Sequence, residues 1–373
     1  MSDPGIAGYE ARFADVVSGR RAVAFAFART AMQEAAAACG LAPGDRVVLS
    51  PLNCKAVPIA FLQRGYRVVY ADIDAATMNL DAGTVRTLLA AGARAVVFQH
   101  TYGSSAGLEA VKRVADEFGA ALFEDRAQCI ARRSPPVGSV AFYSNNLRKP
   151  LPAGSGGIAV TNDERIADLL AQRRDRLPAR GAPQEAKLIA ETVLHDWVLR
   201  PALYWSIWSL NRKLQPFHAR LDRATELAAE GAATSLRPSR RQISRGLRSL
   251  AQLESLAGQR LEASRDYASR LRGHAALPIP EPVEPLYYFP VLARHKERLL
   301  ERARRRRLEL VAWPLRTPIY PVENEAELER YGYTPGSCAN AEQIAARLVG
   351  LPTDQFATPP RRAALIEEIL ADE

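Results

Sequence analysis

The feature that most constrains this chain is a regular alternation of short apolar runs and helical segments through its first 165 residues. Arg29 to Gly40 is alanine-rich and helical, and Gly40 suits a C-terminal cap. Gly44-Asp45 turns into Arg46–Ser50, a short buried strand. Residues 56–64 read as a helix ending at Gly65, Arg67–Ala71 as a strand, 82–91 as a helix and Ala95–Gln99 as a strand. Residues 106–118 read as a helix, and Ala121–Glu124 and Ser139–Phe142 as strands. Parallel strands need a crossover between them, so this rhythm predicts an α/β fold with a mostly parallel sheet sandwiched by helices. Ligands of such sheets lie beyond the carboxyl ends of the strands, which selects the positions to inspect.

The rest of the chain is less regular. Residues 164–230 read as helical and carry Trp197, Trp205 and Trp208. Residues 240–272 read as a long helix or a helix pair, with Leu247, Leu250, Leu253 and Leu256 at helical spacing. Pro278 to Pro285 is a connector, followed by a strand (Tyr287 to Leu292), an arginine-rich helix (295–307) and a C-terminal αβ lobe. We expect a large domain over 1–230, including the helical 164–230 segment, and a smaller α+β domain over 231–373. No run of 18 uncharged apolar residues occurs, so no membrane-spanning helix is expected. Met1 to Gly5 lacks the basic start and apolar core of a signal peptide. The four cysteines show no CxxC spacing and the five histidines do not cluster, so we expect no metal site and a reduced, cytoplasmic setting.

The net charge is +9, carried by arginines scattered among alanines, with only six lysines in the chain. Nucleic-acid surfaces favour blocks of mixed Lys and Arg with interleaved aromatics, so a nucleic-acid partner is not expected. The planar fork of Arg suits an anionic small molecule. Arg302 to Arg307 reads as a solvated helix face. Arg237, Arg240, Arg241, Arg245 and Arg248 form a second basic stretch, suited to a phosphate or to solvent. The aromatic run at 193–213 is read as packing on the core or on a partner subunit, ahead of docking at a membrane interface.

Three stretches fall where strands end: Leu122 to Gln128, Phe142 to Pro150 and Gly154 to Asp163. They bring an acid, a hydroxyl, a lysine and a glycine-rich turn to one edge of the sheet. Pyridoxal phosphate (PLP) needs this set: a lysine to bond it, and an acid that keeps its ring nitrogen protonated so that the ring can absorb an electron pair. Its phosphate wants a helix N-terminus, which Arg29-Thr30-Ala31 supplies. Lys149 is the candidate. Lys55 is the rival near a strand end, but no acid-and-glycine phrase surrounds it. Asp125 could instead cap a helix, and Gln128, Ser144 and Thr30 have ordinary turn and helix uses.

In these phrases the chain resembles the DegT/DnrJ/EryC1/StrS family of sugar aminotransferases, PLP-dependent enzymes of fold type I. Glu124-Asp125-Arg126-Ala127-Gln128 matches the family's EDAAQ phrase. Ser144 through Lys149 matches SFxxxK, with the glycines and the VTND strand following over Gly154 to Asp163. Gly44 to Val48, Tyr70 to Asp74 and His100-Thr101-Tyr102-Gly103 resemble its GDEV, VDID and HxYG segments. The likeness is dense over 20–165 and weaker over 237–352, where Gln252-Leu253, Cys338 to Glu342 and Leu351 to Asp354 are similar to its second domain.

The resemblance implies that Lys149 bonds the cofactor and then moves the proton, and that Asp125 pairs with the ring nitrogen. It implies Gln128 by the ring hydroxyl, and Ser144, Arg29 and Thr30 on the phosphate. It also implies a homodimer with shared active sites, and transfer of an amino group from an amino acid, glutamate, to a keto sugar, often nucleotide-linked. Such a product feeds polysaccharide, glycoconjugate or natural-product biosynthesis. The chain departs from the pattern in three places. Arg29 stands where Thr is common, Cys54 falls at the family's ring-stacking aromatic, and Arg240 or Arg241 stands in for the arginine of a partner-subunit Asn-x-Arg phrase. His100 and Tyr102 are read as shaping their loop. Two alternatives accompany the aminotransferase: a sugar dehydratase, in which the family usually replaces the lysine by histidine, and a catalytically silent binding or regulatory protein that keeps the fold.

Overall fold

The computed structural model describes residues 5–129, 134–147, 149–198 and 235–372. Trp205, Trp208 and most of the aromatic run at 193–213 lie outside the described residues, as does the side chain of Trp197. The first half runs α1 (Gly5–Val17), β1 (Arg21–Phe25), α2 (Ala28–Ala38), β2 (Arg46–Leu49), β3 (Asn53–Cys54), α3 (Ala56–Leu62) and β4 (Arg67–Tyr70). It continues with α4 (Ala82–Ala90), β5 (Ala95–Gln99), α5 (Leu108–Glu117), β6 (Ala121–Asp125), β7 (Val140–Ser144) and β8 (Gly157–Thr161). Seven of these strands form one sheet in the order β1-β8-β7-β6-β5-β2-β4. Only β8 runs against its neighbours, so the sheet is mostly parallel.

The central strands are apolar because helices cover both of their faces. All five residues of β5 are buried. One helix layer seats α2, whose Ala31, Ala35 and Ala36 are fully buried with Phe25, Val97, Phe123 and Phe142. The other seats α4 and α5, with Val85, Leu89, Val111 and Ala115 against Val48, Val96 and Phe98. Alanine on α2 brings the helix axis close to the sheet, which matters at the site. The sequence reading did not find the leading α1, nor β1, although Ala22 to Phe27 is apolar throughout.

The second half comprises α6 (Glu164–Asp175), α7 (Ala182–Val198), α8 (Arg240–Ala251), α9 (Leu253–Leu271), β9 (Tyr288–Leu292) and α10 (Lys296–Arg305). It ends with β10 (Ile319–Tyr320), α11 (Ala339–Arg347), β11 (Leu348–Pro352) and α12 (Pro359–Leu370). The stretch 240–272 is a helix pair that breaks at Gln252. Ile243, Leu250, Leu253 and Ala257 share a core with Tyr9 and Phe13 of α1. Beyond them α9, α10 and α12 pack around antiparallel β9 and β11, through Tyr267, Phe289, Leu299 and Leu365. The arginine-rich helix stops at Arg305 because Arg307 turns left-handed, at φ 55°.

Two features sew this lobe to the sheet domain. β10 pairs in parallel with β3, Tyr320 opposite Cys54. Asp72 accepts hydrogen bonds from the backbone N–H groups of Asn340 and Ala341, each at 3.0 Å. A carboxylate there satisfies orphan donors and complements the positive end of α11. Among the described residues no helix is long and apolar enough to cross a membrane, and no cluster of three or more His, Cys, Asp or Glu stands ready for a metal.

Candidate active site

The carboxyl ends of β5, β6 and β7 lie side by side, with Gln99 opposite Asp125 and Asp125 opposite Phe142. That register brings Asp125, His100 and Ser144 to one edge. Asp125 is buried, and its Oδ1 accepts from the Ala127 N–H at 2.9 Å. Burial raises its pKa, opposed by that N–H and by the charges of Lys149 and His100. Lys149 follows in the loop after β7. Asn145 organises this loop: its N–H donates to Gly156 O at 3.0 Å, its carbonyl accepts from Ala153 N at 2.8 Å, and its amide donates to Leu151 O at 2.8 Å. Gly156, at φ 151°, packs against the Asn145 side chain with no room to spare for a Cβ.

Successive residues of a strand face opposite ways, so Glu124 is in a different environment from its neighbour. It is buried, and its Oε2 accepts from Arg126 Nε at 2.9 Å, Arg126 Nη2 at 2.6 Å and His100 Nε2 at 3.0 Å. Its Oε1 accepts from the N–H groups of Val137 and Gly138. Burial works to raise its pKa, but the His100 hydrogen bond, the Arg126 charge and the backbone donors prevail and hold it at about 2. This fully satisfied cluster fixes His100 and thereby the ground on which Asp125 stands.

Gln128 is buried, and its Oε1 accepts from Tyr102 N at 2.6 Å. Tyr102 is a buried non-glycine residue at φ 54°. Three bonds hold it there: the one to Gln128, one from Tyr287 N to its carbonyl at 2.8 Å, and one from its hydroxyl to Trp313 O at 2.5 Å. Strain of this kind persists only where the surroundings over-determine it. Here it couples the sheet edge to the C-terminal lobe.

A cavity of about 380 Å³ contains Lys149 and is lined from the sheet domain by Cys54, Gln128 and Asn146. The C-terminal lobe supplies an aromatic wall of Tyr287, Tyr288, Trp313 and Tyr320, with Arg304 and Glu309 beside it. Lys149 Nζ stands 5.7 Å from the centroid of the Tyr287 ring. Sequence reasoning missed this wall, because its members lie far along the chain and arrive through the β3–β10 pairing. The aromatic pair Tyr287-Tyr288 straight after the proline-rich connector was its one local signal.

Ser144, Arg29 and Thr30 do not line that cavity. They meet at a second point on the same edge. Ser144 is opposite Gly157 in the sheet, and a Cβ on Gly157 would come within 2.2 Å of the Cα and N of Ala28. The first turn of α2, which carries Arg29 and the buried Thr30, therefore presses directly on β8 next to the strand that ends in Ser144. The amides of Ala28, Arg29 and Thr30 precede the first intrahelical bond, Ala31 N to Phe27 O, and so lie at the helix N-terminus, the end that favours an anion. Gln242 secures the approach, its Nε2 donating to Ala26 O at 3.1 Å and Ser155 O at 2.8 Å. Arg240 and Arg241 are exposed and line a separate cleft of about 850 Å³ beside Arg237.

These residues fit pyridoxal phosphate. A buried carboxylate next to a lysine suits a ring that carries a protonated nitrogen. A glycine that lets a helix N-terminus press on the sheet suits its phosphate.

The family model for the DegT/DnrJ/EryC1/StrS aminotransferase family matches residues 2–197. The chain is 32% identical over 170 residues to the spore coat polysaccharide biosynthesis protein SpsC of Bacillus subtilis (strain 168), covering 44% of each chain. It is 30% identical over 175 residues to the UDP-2-acetamido-2-deoxy-3-oxo-D-glucuronate aminotransferase of Pseudomonas aeruginosa, covering 45% of this chain and 49% of that one. The match thus spans about half the length of these curated relatives. The fold extends further. The crystal structure of NtdA from Bacillus subtilis, with bound cofactor PMP, superposes with a TM-score of 0.72 at 16% identity, over 98% of this chain and 76% of that one.

Proposed function

The chain belongs to the DegT/DnrJ/EryC1/StrS aminotransferase family, and from that premise we propose that it is a PLP-dependent aminotransferase. It moves an amino group from an amino acid, glutamate, to a keto sugar, nucleotide-linked, on the way to a polysaccharide, glycoconjugate or natural product. The observation that carries this reading is the buried Asp125 carboxylate under the influence of Lys149, at the edge where the parallel strands end. The relatives support the substrate class: one is named for polysaccharide biosynthesis, the other for a UDP-linked keto sugar.

Bound at this edge, pyridoxal phosphate supplies an electron sink for the carbon that loses or gains a proton. The chain's own residues divide the remaining work. Asp125, kept from water, holds a proton on the ring nitrogen by its negative charge. Gln128, with its oxygen already engaged by Tyr102, has amide N–H groups to offer the ring hydroxyl. Ser144, Arg29, Thr30 and the first amides of α2 take the phosphate. Cys54, which lines the same cavity, would be the neighbour of the ring. Lys149 would hold the cofactor and its amine would be the group that moves the proton. The wall of Tyr287, Tyr288, Trp313 and Tyr320 excludes water from that transfer. A homodimer whose second subunit completes the site belongs to the same reading. Lys149 itself argues against the dehydratase.

The test is the visible absorbance of the purified protein, with and without glutamate, beside Lys149→Ala. A yellow band that bleaches with glutamate in the wild type, and is absent or unresponsive in the variant, is the expected result. No band even after adding pyridoxal phosphate would overturn the reading and leave the silent binding protein. A band unmoved by any amino donor would refute transamination while sparing cofactor binding.

A further inference from the structure

Among the described residues, one basic side chain besides Lys149 lines the lysine cavity: Arg304, in the last turn of α10. Four arginines near it are engaged. Arg302 holds Glu368 at 2.8 Å, Arg305 holds Glu301 at 3.2 Å, Arg306 holds Glu367 at 3.1 Å and Arg316 holds Glu297 at 2.8 Å. Among the described residues, the Arg304 guanidinium makes no ion pair and no hydrogen bond. An unspent guanidinium facing a ligand cavity is a planar fork matched to a carboxylate.

The surroundings narrow what the anion is. Arg304 also lines a neighbouring cleft of about 990 Å³ and so stands on the wall between the two spaces. That cleft is of mixed charge, with Glu297, Glu301 and Glu323 among Lys296, Arg298 and Arg316, and lacks the unbroken basic lining of a polyphosphate channel. Its Lys296 spends its ammonium on the carbonyls of Pro314, Leu315 and Ala345. A chain of phosphates running past Arg304 would meet carboxylates interleaved with the bases, two of them, Glu297 and Glu301, already paired with Arg316 and Arg305, whereas a short, single anion can stop at Arg304. Inside the lysine cavity, the acid among the described lining residues is the buried Glu309.

We propose that Arg304 is the specificity-determining residue for the amino donor, taking the side-chain carboxylate of an acidic amino acid whose amine is presented to Lys149. The proposal rests on the aminotransferase reading above. It assigns to Arg304 a choice between donors that share an α-carboxylate and differ at the far end.

Two measurements on wild type, Arg304→Gln and Arg304→Lys test it, with thermal melting to show that each variant folds. The first is calorimetric binding of glutarate, a dicarboxylate with no amine, which needs no turnover. Glutarate is expected to bind the wild type, about tenfold more weakly to Arg304→Gln, the size of one charge-assisted contact at an exposed mouth, and in between to Arg304→Lys. The second is bleaching of the visible band by glutamate, glutamine and alanine. Arg304→Gln is expected to raise the half-saturating glutamate about tenfold, with the limiting rate kept and the other two donors unmoved. An equal loss for all three donors would place Arg304 on the α-carboxylate or in the framework and overturn the proposal. Arg304-dependent binding of UDP that exceeds that of glutarate would overturn it in favour of the acceptor. A wild type with no band would sink the aminotransferase reading alone, while the glutarate result would still report on the anion site.

Discussion

Gly157→Ala isolates the device that seats a helix N-terminus on the sheet. The added Cβ would lie 2.2 Å from the Cα and N of Ala28 and 2.5 Å from the carbonyl carbon of Phe27, all of them backbone. Ordinary contact begins at 3.4 Å, so something must retreat by about 1 Å. The strand cannot, because Gly157 is paired with Phe25 on one side and Ser144 on the other. The start of α2 must move, against a helix whose Ala31 and Ala35 are fully buried. Overpacking of this kind costs about 1–3 kcal/mol of stability. The same displacement moves the first turn of α2, and Arg29 with it, away from the proposed phosphate site. Losing one or two charge-assisted hydrogen bonds of about 1.5 kcal/mol or more each weakens cofactor binding roughly 10- to 100-fold. The assay is a fluorescence titration with pyridoxal phosphate, beside a thermal melt of the apoprotein. Gly258→Ala is the control: it lies in α9 with nothing within 4 Å of its missing Cβ, and alanine there is expected to stabilise by about 0.5–1 kcal/mol. A Gly157→Ala protein with wild-type melting and wild-type cofactor affinity would refute the argument.

Two further outcomes follow from groups away from the cavity. Glu124 is held at about 2, below its ordinary 4.5, so its contribution is fully present above pH 4.5 and is lost as the pH falls from 4.5 through 2. It amounts to about 3 kcal/mol; acid unfolding followed by circular dichroism should show that window in the wild type and not in Glu124→Gln, which is also less stable at neutral pH. Asp72→Ala leaves the first amides of α11 without their acceptor and should cost about 1–2 kcal/mol in urea unfolding, while Asp72→Asn should recover part of it. An Asp72→Ala midpoint equal to the wild type would show that water replaces the carboxylate there.

Much of the sheet domain was legible because its signals are local. Runs such as Ala95–Gln99 are apolar throughout, since a parallel strand is buried on both faces, and the intervening helices end at glycines. Lys149, Asp125 and Gln128 were legible for a related reason: each sits within a few residues of a strand end, and a parallel sheet places strand ends together. Arg29, Thr30 and Ser144 were legible as types, but their meeting depends on Gly157, whose missing Cβ is a fact about two backbones. The helix pair at Gln252 and the stop at Arg305 were left open or misplaced by a residue or two, because periodicity does not report a kink or a left-handed residue.

What the sequence determined by itself was therefore the order of the strands' chemistry: which residues stand at the carboxyl edge, and that they suit a phosphate-bearing, lysine-bound cofactor. Only the tertiary structure decided what faces them. The aromatic wall, Arg304 and Glu309 all lie more than a hundred residues after Lys149. They reach the cavity through the pairing of Tyr320 with Cys54, the capping of α11 by Asp72 and the bond from Tyr102 to Trp313. Such contacts depend on how two separately folded surfaces fit, and no spacing along one chain records that fit.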